Sequence, residues 1–390
     1  MLVPAWLPRA AAAHPDRPAI NAFTYAELLA RARAQAPELA LRAEGTDDFA
    51  VALHARLLRG QNTVPRDPRV VREERELPAE SPARTDGLVD LDAPALRLLT
   101  SGTTAAPRPV VLTYGNLFWA ALGSAAALGL DVQERWLCAL PLAHVGGLSI
   151  LTRSVVYGTS VLLHERFDAR RAVTAVMEEG VTLVSVVPTM LARMLDAGLR
   201  EPPALRWALV GGAPLAPSLR ARAEDAGVPV AESYGMTEAA SQAVTEGVPL
   251  PGVRVELDED GEIVLAGPTI AGGGPLHTGD LGAWDAQGRL RIGGRKADTI
   301  ITGGENVAPQ EVEQVLLAHR DVEDAAVVGR PDPEWGEAVV ALVVGGVGEE
   351  DLRAWARERL AAHQVPKRVE HVDELPRNAA GKLDRNRLRA

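Results

Sequence analysis

Short apolar runs alternate with amphipathic stretches between about residue 96 and residue 236. The apolar runs are rich in Val and Leu, which predicts buried β-strands. They are LRLLT, ERWLCALPL, TSVLLH, VTLVSVVP, LRWALVGG and VPVAESYG. The amphipathic stretches predict helices at Tyr114–Leu128, Arg170–Glu179 and Pro188–Leu199. Alternation of strand and helix in this way is typical of a parallel sheet covered by helices.

The chain has different patterns before and after this central part. Near the start, helical patches at Phe23–Ala36 and Asp47–Arg59 are separated by proline-containing breaks. Residues 66–94 are rich in charge and proline, which predicts a surface connection. From about residue 252 the apolar and polar positions alternate over shorter runs, and the turns DEDGE and DAQGR lie between them. This pattern predicts β-hairpins.

The section after Arg295 is predicted to be a separate α+β unit. Its two helices and two strands are expected at Gln310–His319, Glu349–His363, Asp324–Val328 and Ala338–Val344. We therefore expect a boundary near Arg295 to Asp298 that divides the chain into residues 1–295 and residues 296–390. The predicted fold class is α/β. It consists of a large N-terminal domain with helix-covered, mostly parallel sheets and a β-rich subdomain, followed by a small α+β C-terminal domain.

The composition is that of a globular protein with enough residues for a large core. The chain has 390 residues, of which 47% are apolar, and a formal net charge of −11. A nucleic-acid binder normally has a basic surface, so this charge argues against that class. No apolar run approaches the roughly 18 residues that a membrane-spanning helix needs. One cysteine, Cys138, excludes a disulfide framework and a multi-cysteine zinc site.

The N-terminus has only a short alanine tract, where a signal peptide would need a sustained apolar stretch. We therefore expect a cytoplasmic protein. Formation of a homo-oligomer stays open.

The segment Thr100 to Thr104 directly follows the apolar run LRLL. Its hydroxyl groups and backbone amides are suited to binding a phosphate, and Arg108 follows closely enough to neutralise the charge. An ordinary Ser/Thr-rich turn explains this pentapeptide equally well when it is taken alone. The segment is not a Walker P-loop, because the required glycine and Lys-Ser/Thr spacing is missing.

Further candidate nucleotide-binding residues follow other predicted strands. In ESYGMTE, Tyr234 can lie against a purine, Thr237 can contact a phosphate, and Glu238 can hold a magnesium ion. Gly211 to Pro214 would let a planar ring approach the backbone closely, although such a sequence alone is more often a tight turn. Asp280 ends the segment HTGD, and its carboxylate can accept both hydroxyls of a ribose. An Asp-containing turn is the alternative interpretation.

Two residues in the segment LPLAHVGGLSILTRSVVYG also suggest chemistry. His144 precedes Gly146 and Gly147 in a predicted loop, and a packing role is its alternative. Arg153 lies in an otherwise apolar stretch, Leu148–Val156. A buried arginine is costly without an anionic partner, so Arg153 has either a structural salt bridge or an anionic ligand.

The order and spacing of these segments resemble the adenylate-forming superfamily, which includes acyl- and aryl-CoA synthetases, luciferases and peptide-synthetase adenylation domains. The resemblance runs from Trp6 to Arg389 and rests on TSGTT, YGMTE, TGD, GRKAD with GGEN, and PRNAAGK. Within the superfamily the chain is most similar to the o-succinylbenzoate–CoA ligases of menaquinone synthesis. That similarity rests on a compressed N-terminal part, on LPLAHVGGLSILTRSVVYG and on YGMTEAASQAVT.

The resemblance implies an ATP-dependent acid–CoA ligase that uses ATP, Mg²⁺ and coenzyme A, with a small carboxylic acid as substrate. A ligase for another aryl or medium-chain acid, or an enzyme that loads a carrier protein, is the alternative. A weakly catalytic nucleotide-binding protein is a more distant one. A small C-terminal domain on a hinge fits two half-reactions that need different surroundings.

The resemblance also implies a role for each matched residue. The ATP- and AMP-binding residues would be Thr100, Ser101, Gly102, Thr103, Thr104, Arg108, Gly211, Gly212, Ala213, Ser233, Tyr234, Gly235, Met236, Thr237, Asp280 and Arg295. Lys382 would contact the α-phosphate and the attacking carboxylate, and Glu238 would hold magnesium. The acyl substrate would lie among His144, Gly146, Gly147, Arg153 and Ser241, with His144 also contributing to catalysis. Gly303 and Gly304 would line the coenzyme A channel, and Lys296 and Ala297 would form the hinge.

The phosphate-binding segment departs from the family pattern. The family usually has Gly-x-Pro-Lys-Gly after the threonine pair, where this chain has Ala105 to Pro109. Ala105 removes the freedom of a glycine to adopt positive φ, and Pro109 removes a backbone donor. We therefore expect a stiffer phosphate loop.

Overall fold

The computed structural model describes residues 1–35, 41–66, 87–100, 108–377 and 383–389. Its α-helices are α1 Trp6–Ala13, α2 Tyr25–Ala34, α3 Asp47–Leu58, α4 Tyr114–Leu128, α5 Val145–Tyr157, α6 Ala169–Glu178, α7 Pro188–Asp196, α8 Pro217–Asp225, α9 Pro309–Leu317, α10 Glu349–Arg357 and α11 Arg385–Arg389. Short 3₁₀ helices lie at Thr237–Ala239 and Lys296–Asp298.

The first half of the strands runs from β1 to β12. They are β1 Leu2–Pro4, β2 Pro18–Ile20, β3 Phe23–Thr24, β4 Leu41–Arg42, β5 Pro65–Arg66, β6 Leu88–Asp90, β7 Pro94–Thr100, β8 Arg108–Thr113, β9 Arg135–Cys138, β10 Ser160–Leu163, β11 Leu183–Val186 and β12 Trp207–Gly211. The remaining strands are β13 Val230–Met236, β14 Ser241–Thr245, β15 Val248–Pro249, β16 Arg254–Leu257, β17 Glu262–Ala266, β18 Leu276–Trp284, β19 Leu290–Arg295, β20 Ile300–Thr302, β21 Glu305–Val307, β22 Val322–Asp332, β23 Gly336–Gly345 and β24 Arg368–His371.

These elements form two compact units. The first consists of Met1–Gly212, Ala223–Arg254 and Leu265–Leu276. The second consists of Ala213–Arg222, Val255–Val264 and His277–Ala390. No helix in the described ranges combines the length and the apolar character that crossing a bilayer requires.

A nine-stranded sheet lies at the centre of the first unit, with the order β15-β14-β13-β12-β11-β9-β10-β2-β3. Its inner strands, from β13 to β2, pair in parallel, and antiparallel pairs occur only towards the two edges. Helices α4, α5, α6 and α7 pack on this sheet. All four residues of β11 are buried, as expected for a strand covered on both faces. The predicted helix-covered, mostly parallel sheet is confirmed.

One strand of the predicted set pairs elsewhere. The run LRLLT belongs to β7, which pairs antiparallel with β8 in a separate two-stranded sheet. In this hairpin the backbone of Thr100 lies opposite that of Arg108. An apolar run predicts a buried strand but does not identify its neighbour, so its membership of the parallel sheet was wrong.

Helix α4 shows how local sequence sets an element boundary. The Thr113 side chain accepts a hydrogen bond from the Asn116 backbone N–H (3.1 Å), and the Asn116 side chain accepts one from the Thr113 N–H (2.9 Å). This reciprocal pair satisfies two amides at the helix start. The helix ends before Gly129, where φ is +73°. The predicted bounds of α4, residues 114 and 128, are confirmed.

The second unit contains two sheets. The first has the order β16-β17-β18-β19, with the predicted turns at Asp258–Gly261 and Asp285–Gly288. The second has the order β21-β20-β23-β22, and β24 pairs in parallel with β23. Together with α9 and α10, this second sheet confirms the predicted α+β section.

Helix α10 is shorter than predicted, because it ends at Arg357 and not at His363. The N–H groups of Arg359 and Leu360 both donate to the Ala356 carbonyl (3.0 and 2.9 Å), which tightens the last turn and closes the helix.

Candidate active site

Two predicted nucleotide segments meet at the carboxyl ends of adjacent parallel strands. Gly211 ends β12 and pairs in register with Ser233 of β13. A Cβ atom at position 211 would lie 3.0 Å from the Ser233 carbonyl oxygen, so a side chain there would press against the neighbouring strand. Gly212 follows with φ +81°, and Ala213 comes next. Ligands of α/β proteins usually bind at this edge of a parallel sheet.

The turn after β13 has an irregular backbone. Ala240 and Ser241 have φ values of +54° and +97°, which non-glycine residues rarely adopt. A Cβ atom at Gly235 would lie 1.7 Å from the Ser241 carbonyl oxygen, so β14 can fold back this closely only beside a glycine. Such strain persists only where the surroundings fix it, and it is concentrated at functional sites. The turn therefore places Ser241 opposite Met236, with which it pairs.

Thr237 and Glu238 lie in the 3₁₀ helix of this turn and are both half-buried. The Glu238 carbonyl oxygen accepts a hydrogen bond from the Ala271 N–H (2.8 Å), which fixes the backbone below the carboxylate. Magnesium is usually held by one or two carboxylates together with phosphate oxygens and water. One carboxylate residue on a fixed backbone, directly after a threonine, therefore fits a magnesium–phosphate complex.

The start of α5 contributes the predicted acyl-site residues. His144 is exposed and precedes the helix, and its carbonyl accepts a hydrogen bond from the Leu148 N–H (3.2 Å). A Cβ atom at Gly147 would lie 2.7 Å from the Pro141 carbonyl oxygen, so this approach also needs a glycine. Gly146 precedes it, and its carbonyl accepts a hydrogen bond from the Ser149 hydroxyl (3.0 Å).

Ser149 connects this helix to the strained turn, because its hydroxyl lies 3.4 Å from that of Ser241. The structure thus brings the first turn of α5 next to the predicted acyl residue on β14. Sequence reasoning did not select Ser149. A polar residue within a long apolar stretch was the available signal.

Arg153 is buried, with 2% of its surface exposed. Its Nη1 donates to the Ser124 hydroxyl (3.3 Å) and to the Gln242 side-chain oxygen (3.2 Å). Burial lowers the pKa of the guanidinium. Within the described ranges no carboxylate forms an ion pair with Arg153, so the structural salt bridge that the sequence left open is not observed there. Gln242 was also missed, although a polar residue in the buried strand β14 indicated it.

In the second unit, the predicted ribose-binding residues form a direct pair. Asp280 and Arg295 lie opposite each other in the antiparallel pair β18–β19. The Arg295 Nε lies 2.9 Å from Asp280 Oδ1, and Asp280 is buried. The Asp280 N–H donates to the Thr278 hydroxyl (3.1 Å), which itself donates to the Ile263 carbonyl (2.8 Å). These contacts fix the position of the carboxylate.

The predicted hinge directly follows Arg295. Lys296 forms ion pairs with Asp260 (2.7 Å) and Glu262 (3.4 Å), and the hydrogen bond to Asp260 raises the pKa of Lys296. Ala297 lies in the middle of the 3₁₀ helix, and Asp298 at its end pairs with Arg385 (3.2 Å). Both ends of this short helix are thus held by ion pairs.

The predicted coenzyme A residues form the turn between β20 and β21. Gly303 and Gly304 have φ values of +61° and +84°. A Cβ atom at Gly303 would lie 3.0 Å from the Trp335 ring, so glycine allows the ring to cover this turn.

Some predicted site residues lie outside the described residues, namely Ser101, Gly102, Thr103, Thr104 and Lys382. Thr100 and Arg108 are described by their backbone alone. The predicted substitutions Ala105 to Pro107 also lie outside the described ranges. The roles of these residues stay predictions.

Comparison with known proteins identifies a family. The AMP-binding enzyme family model matches residues 51–273, and the model of the AMP-binding enzyme C-terminal domain matches residues 311–382. A 2-succinylbenzoate–CoA ligase of Bacillus licheniformis is 41% identical over 337 residues, which cover 77% of this chain and 70% of that protein. A ligase of the same name from Geobacillus kaustophilus is 43% identical over 341 residues, with the same coverage.

Solved structures agree with these relatives. The o-succinylbenzoate CoA synthetase of Bacillus subtilis, solved with its acyl-adenylate intermediate, superposes with a TM-score of 0.89 and 32% identity. The match covers 100% of this chain and 99% of that one. The same synthetase with ATP and a magnesium ion gives a TM-score of 0.87 at 32% identity, over 100% of both chains. The chain therefore belongs to the AMP-binding enzyme family.

Proposed function

We propose that the protein is an ATP-dependent acid–CoA ligase that converts 2-succinylbenzoate into its CoA thioester through an acyl-adenylate, releasing pyrophosphate and AMP. One observation carries the proposal: the chain matches, over its whole length, a synthetase solved with that acyl-adenylate. The curated relatives at 41% and 43% identity, each named 2-succinylbenzoate–CoA ligase, support the same substrate. A place in menaquinone synthesis follows from this substrate and its thioester. A cytoplasmic location is retained as a prediction, and formation of a homo-oligomer stays open.

The nucleotide is proposed to bind at the strand ends described above. Gly211, Gly212 and Ala213, together with Ser233 to Met236, would frame the adenine, and Asp280 with Arg295 would bind the ribose. In support, glycine lets the backbone come close at Gly211 and Gly235, and the Asp280 carboxylate is fixed by its backbone and by Arg295. Thr100 to Thr104 and Arg108 would bind the β- and γ-phosphates.

Adenylation joins two anions, because a carboxylate must attack the α-phosphorus of ATP. Alignment of the two reactants and fixed positive charge lower this barrier. Glu238 would hold magnesium, which supplies positive charge at the phosphates when bound. Thr237 would contact the α-phosphate, and Lys382 would bring an ammonium to the α-phosphate and the attacking carboxylate. His144, Gly146, Gly147, Arg153 and Ser241 would surround the acid, as the contact between Ser149 and Ser241 supports. Arg153 would bind the second carboxylate of the acid.

The second half-reaction is proposed to use the C-terminal section. Coenzyme A would reach the acyl-adenylate past Gly303 and Gly304, and the hinge would lie at Lys296 and Ala297. We place the domain boundary between residues 295 and 296. In support, the two family models leave residues 274–310 unmatched, and the short 3₁₀ helix lies within that interval.

A pyrophosphate-release assay with a panel of acids tests the proposed function. With ATP and magnesium, 2-succinylbenzoate should give the highest kcat/KM, and a CoA thioester with AMP should form only when coenzyme A is present. Preference for another aryl or medium-chain acid would replace the proposed substrate. Transfer to a phosphopantetheinyl carrier protein in place of coenzyme A would make the chain a carrier-loading enzyme, and ATP binding without pyrophosphate release would overturn the proposal.

A further inference from the structure

We propose that Asn116, in the first turn of α4, is a positioning residue that holds the proposed magnesium ligand in place relative to the phosphate-binding hairpin β7–β8. The inference rests on the proposed function, in which Glu238 holds magnesium and the hairpin binds the phosphates of ATP. It adds the contact through which these two parts of the site keep a fixed separation. Asn116 acts in this role through backbone groups and not by touching ATP.

The side-chain amide of Asn116 connects two distant segments of the chain. Asn116 is 7% exposed, and its side-chain oxygen accepts a hydrogen bond from the Thr113 N–H (2.9 Å). Its Nδ2 donates to the carbonyls of Pro268 (2.8 Å) and Ile270 (3.2 Å). A backbone N–H can only donate and a carbonyl can only accept, so these partners determine which way the amide points. The amide therefore joins the start of α4 to the loop of residues 267–271.

The first of these segments belongs to the phosphate-binding hairpin. Thr113 ends β8 and is the N-cap of α4. Arg108, at the other end of β8, has its backbone opposite that of Thr100. The helix start is itself fixed, because the Gly115 N–H donates to the Leu91 carbonyl (2.7 Å). A Cβ atom at Gly115 would lie 2.8 Å from that oxygen, so the helix start cannot move closer and is held by the hydrogen bond from moving away.

The second segment, the 267–271 loop, has a closely packed backbone. Gly267 has φ +135°, and a Cβ atom there would lie 2.0 Å from the Gly252 carbonyl oxygen, so this approach needs a glycine. The Ile270 N–H donates to the Gly267 carbonyl (3.1 Å), which closes a turn, and Thr269 and Ile270 are buried. A buried carbonyl is costly to leave without a donor, so the conformation of this loop depends on the Asn116 amide.

The same loop holds the backbone of Glu238. The Ala271 N–H, one residue after Ile270, donates to the Glu238 carbonyl (2.8 Å). Strand β8 also lies against the 3₁₀ helix Thr237–Ala239, which carries this residue. Loss of the Asn116 donor should therefore let the loop and Glu238 shift relative to the hairpin, while the proposed ATP-binding residues themselves are unchanged.

The test uses two variants that break opposite halves of the contact between Asn116 and Thr113. Asn116→Asp keeps a side-chain oxygen for the Thr113 N–H but loses the Nδ2 donor to the loop. Thr113→Val is the matched control, because it removes the hydroxyl that accepts the Asn116 N–H (3.1 Å) and leaves the Asn116 amide with its two carbonyls. Both variants should lower the melting temperature, but only Asn116→Asp should disturb the 267–271 loop.

The two half-reactions are measured separately. Asn116→Asp should lower kcat/KM for pyrophosphate release by about 10- to 100-fold, because a misplacement of about 1 Å can cost about 100-fold. It should also raise the magnesium concentration that gives half the maximal rate. Thioester formation from synthetic 2-succinylbenzoyl-adenylate and coenzyme A should stay near the wild-type rate, because this step uses neither magnesium nor the β- and γ-phosphates. Thr113→Val should resemble the wild type in both half-reactions.

Hydrogen exchange gives a readout that does not depend on activity. The Ala271 amide should exchange faster in ligand-free Asn116→Asp than in the wild type, because the loop that holds it has lost two hydrogen bonds. In Thr113→Val its exchange should match that of the wild type. Mass spectrometry of peptides that contain Ala271 measures this difference.

Unchanged exchange at Ala271, or equal losses in both half-reactions, would overturn the inference and leave Asn116 with a role in stability alone. Faster exchange with an unchanged magnesium requirement would also overturn it, because the loop would then move without affecting the metal. If Asn116→Asp does not fold, Asn116→Ser, which also lacks the Nδ2 donor, decides by the same readouts. A wild type that releases no pyrophosphate with 2-succinylbenzoate would instead overturn the proposed function.

Discussion

Two arginines of the candidate site differ in how their charge is compensated. In the second unit, Arg295 lies 2.9 Å from the buried carboxylate of Asp280, on the neighbouring strand. In the first unit, Arg153 is buried among neutral partners, with one edge unsatisfied within the described residues. A compensated arginine fixes a carboxylate that can then accept hydrogen bonds from a ligand. A buried arginine without an ion pair is suited to binding an anionic group of a ligand. The same residue type thus predicts opposite kinds of ligand group in the two regions.

Removing the Asp280 carboxylate, which pairs with Arg295, should have the largest effect. Asp280→Ala leaves Arg295 without this partner and removes the proposed acceptor of the ribose hydroxyls, so we expect kcat/KM for ATP to fall by about 30- to 3,000-fold. The loss should be the same for the diacid 2-succinylbenzoate and for an analogue with one carboxylate, because the proposed ribose contacts do not involve the acid. Measurement of pyrophosphate release at varied ATP checks this. A loss restricted to the diacid would mean that the two regions are not separate.

His54 is a second buried residue of the first unit that can carry a positive charge, and its burial predicts how stability depends on pH. Burial lowers the pKa of His54 to about 4 from the ordinary 6.5. The folded state therefore does not take up the proton that the unfolded state binds below pH 6.5, and stability is lost as pH falls from 6.5 towards 4. We expect the free energy of unfolding to fall by about 2 kcal/mol between pH 7 and pH 5 for this reason.

Urea unfolding at the two pH values measures that loss. His54→Leu should lose less stability than the wild type on acidification, whereas the exposed control His371→Gln should follow the wild type. If His54→Leu and the wild type lose the same stability, burial of His54 does not cause the pH dependence.

A carboxylate introduced beside Arg153 should give this arginine a charged partner within the protein. Gln242 Oε1 lies 3.2 Å from Arg153 Nη1, so Gln242→Glu places a carboxylate beside the guanidinium. We expect the ligand-free protein to melt at an equal or higher temperature, and kcat/KM for the diacid to fall by about 10-fold, the effect of a charge-assisted hydrogen bond. Gln242→Leu is the matched control and should not raise the melting temperature. A Gln242→Glu enzyme with full diacid activity would contradict the proposed role of Arg153.

The sequence predicted best what depends on neighbouring residues. The bounds of α4 follow from its Thr113 cap and an apolar stripe at helical spacing, and both are visible in a single window. Helix α5 was not predicted, because its residues from Gly147 to Val156 are all buried and leave no polar face. Periodicity distinguishes faces, so it fails where every face is covered.

Long-range contacts limited the prediction of the site. The apolar context of Arg153 correctly indicated that this residue is buried, but its partners Ser124 and Gln242 come from distant parts of the chain. By contrast, the pairing of Asp280 with Arg295 was accessible in principle. The turn DAQGR lies midway between them, and an antiparallel hairpin sets residues on its two sides opposite each other.

Detection of the intermediate tests the central claim, that the chain makes an acyl-adenylate on the way to a thioester. The protein would be mixed with 2-succinylbenzoate, ATP and magnesium in the absence of coenzyme A, and the quenched products analysed by mass spectrometry. The account predicts one equivalent of 2-succinylbenzoyl-adenylate and of pyrophosphate per active site, followed by conversion to the CoA thioester and AMP when coenzyme A is added. Formation of ADP and phosphate, or of a thioester without any acyl-adenylate, would contradict it.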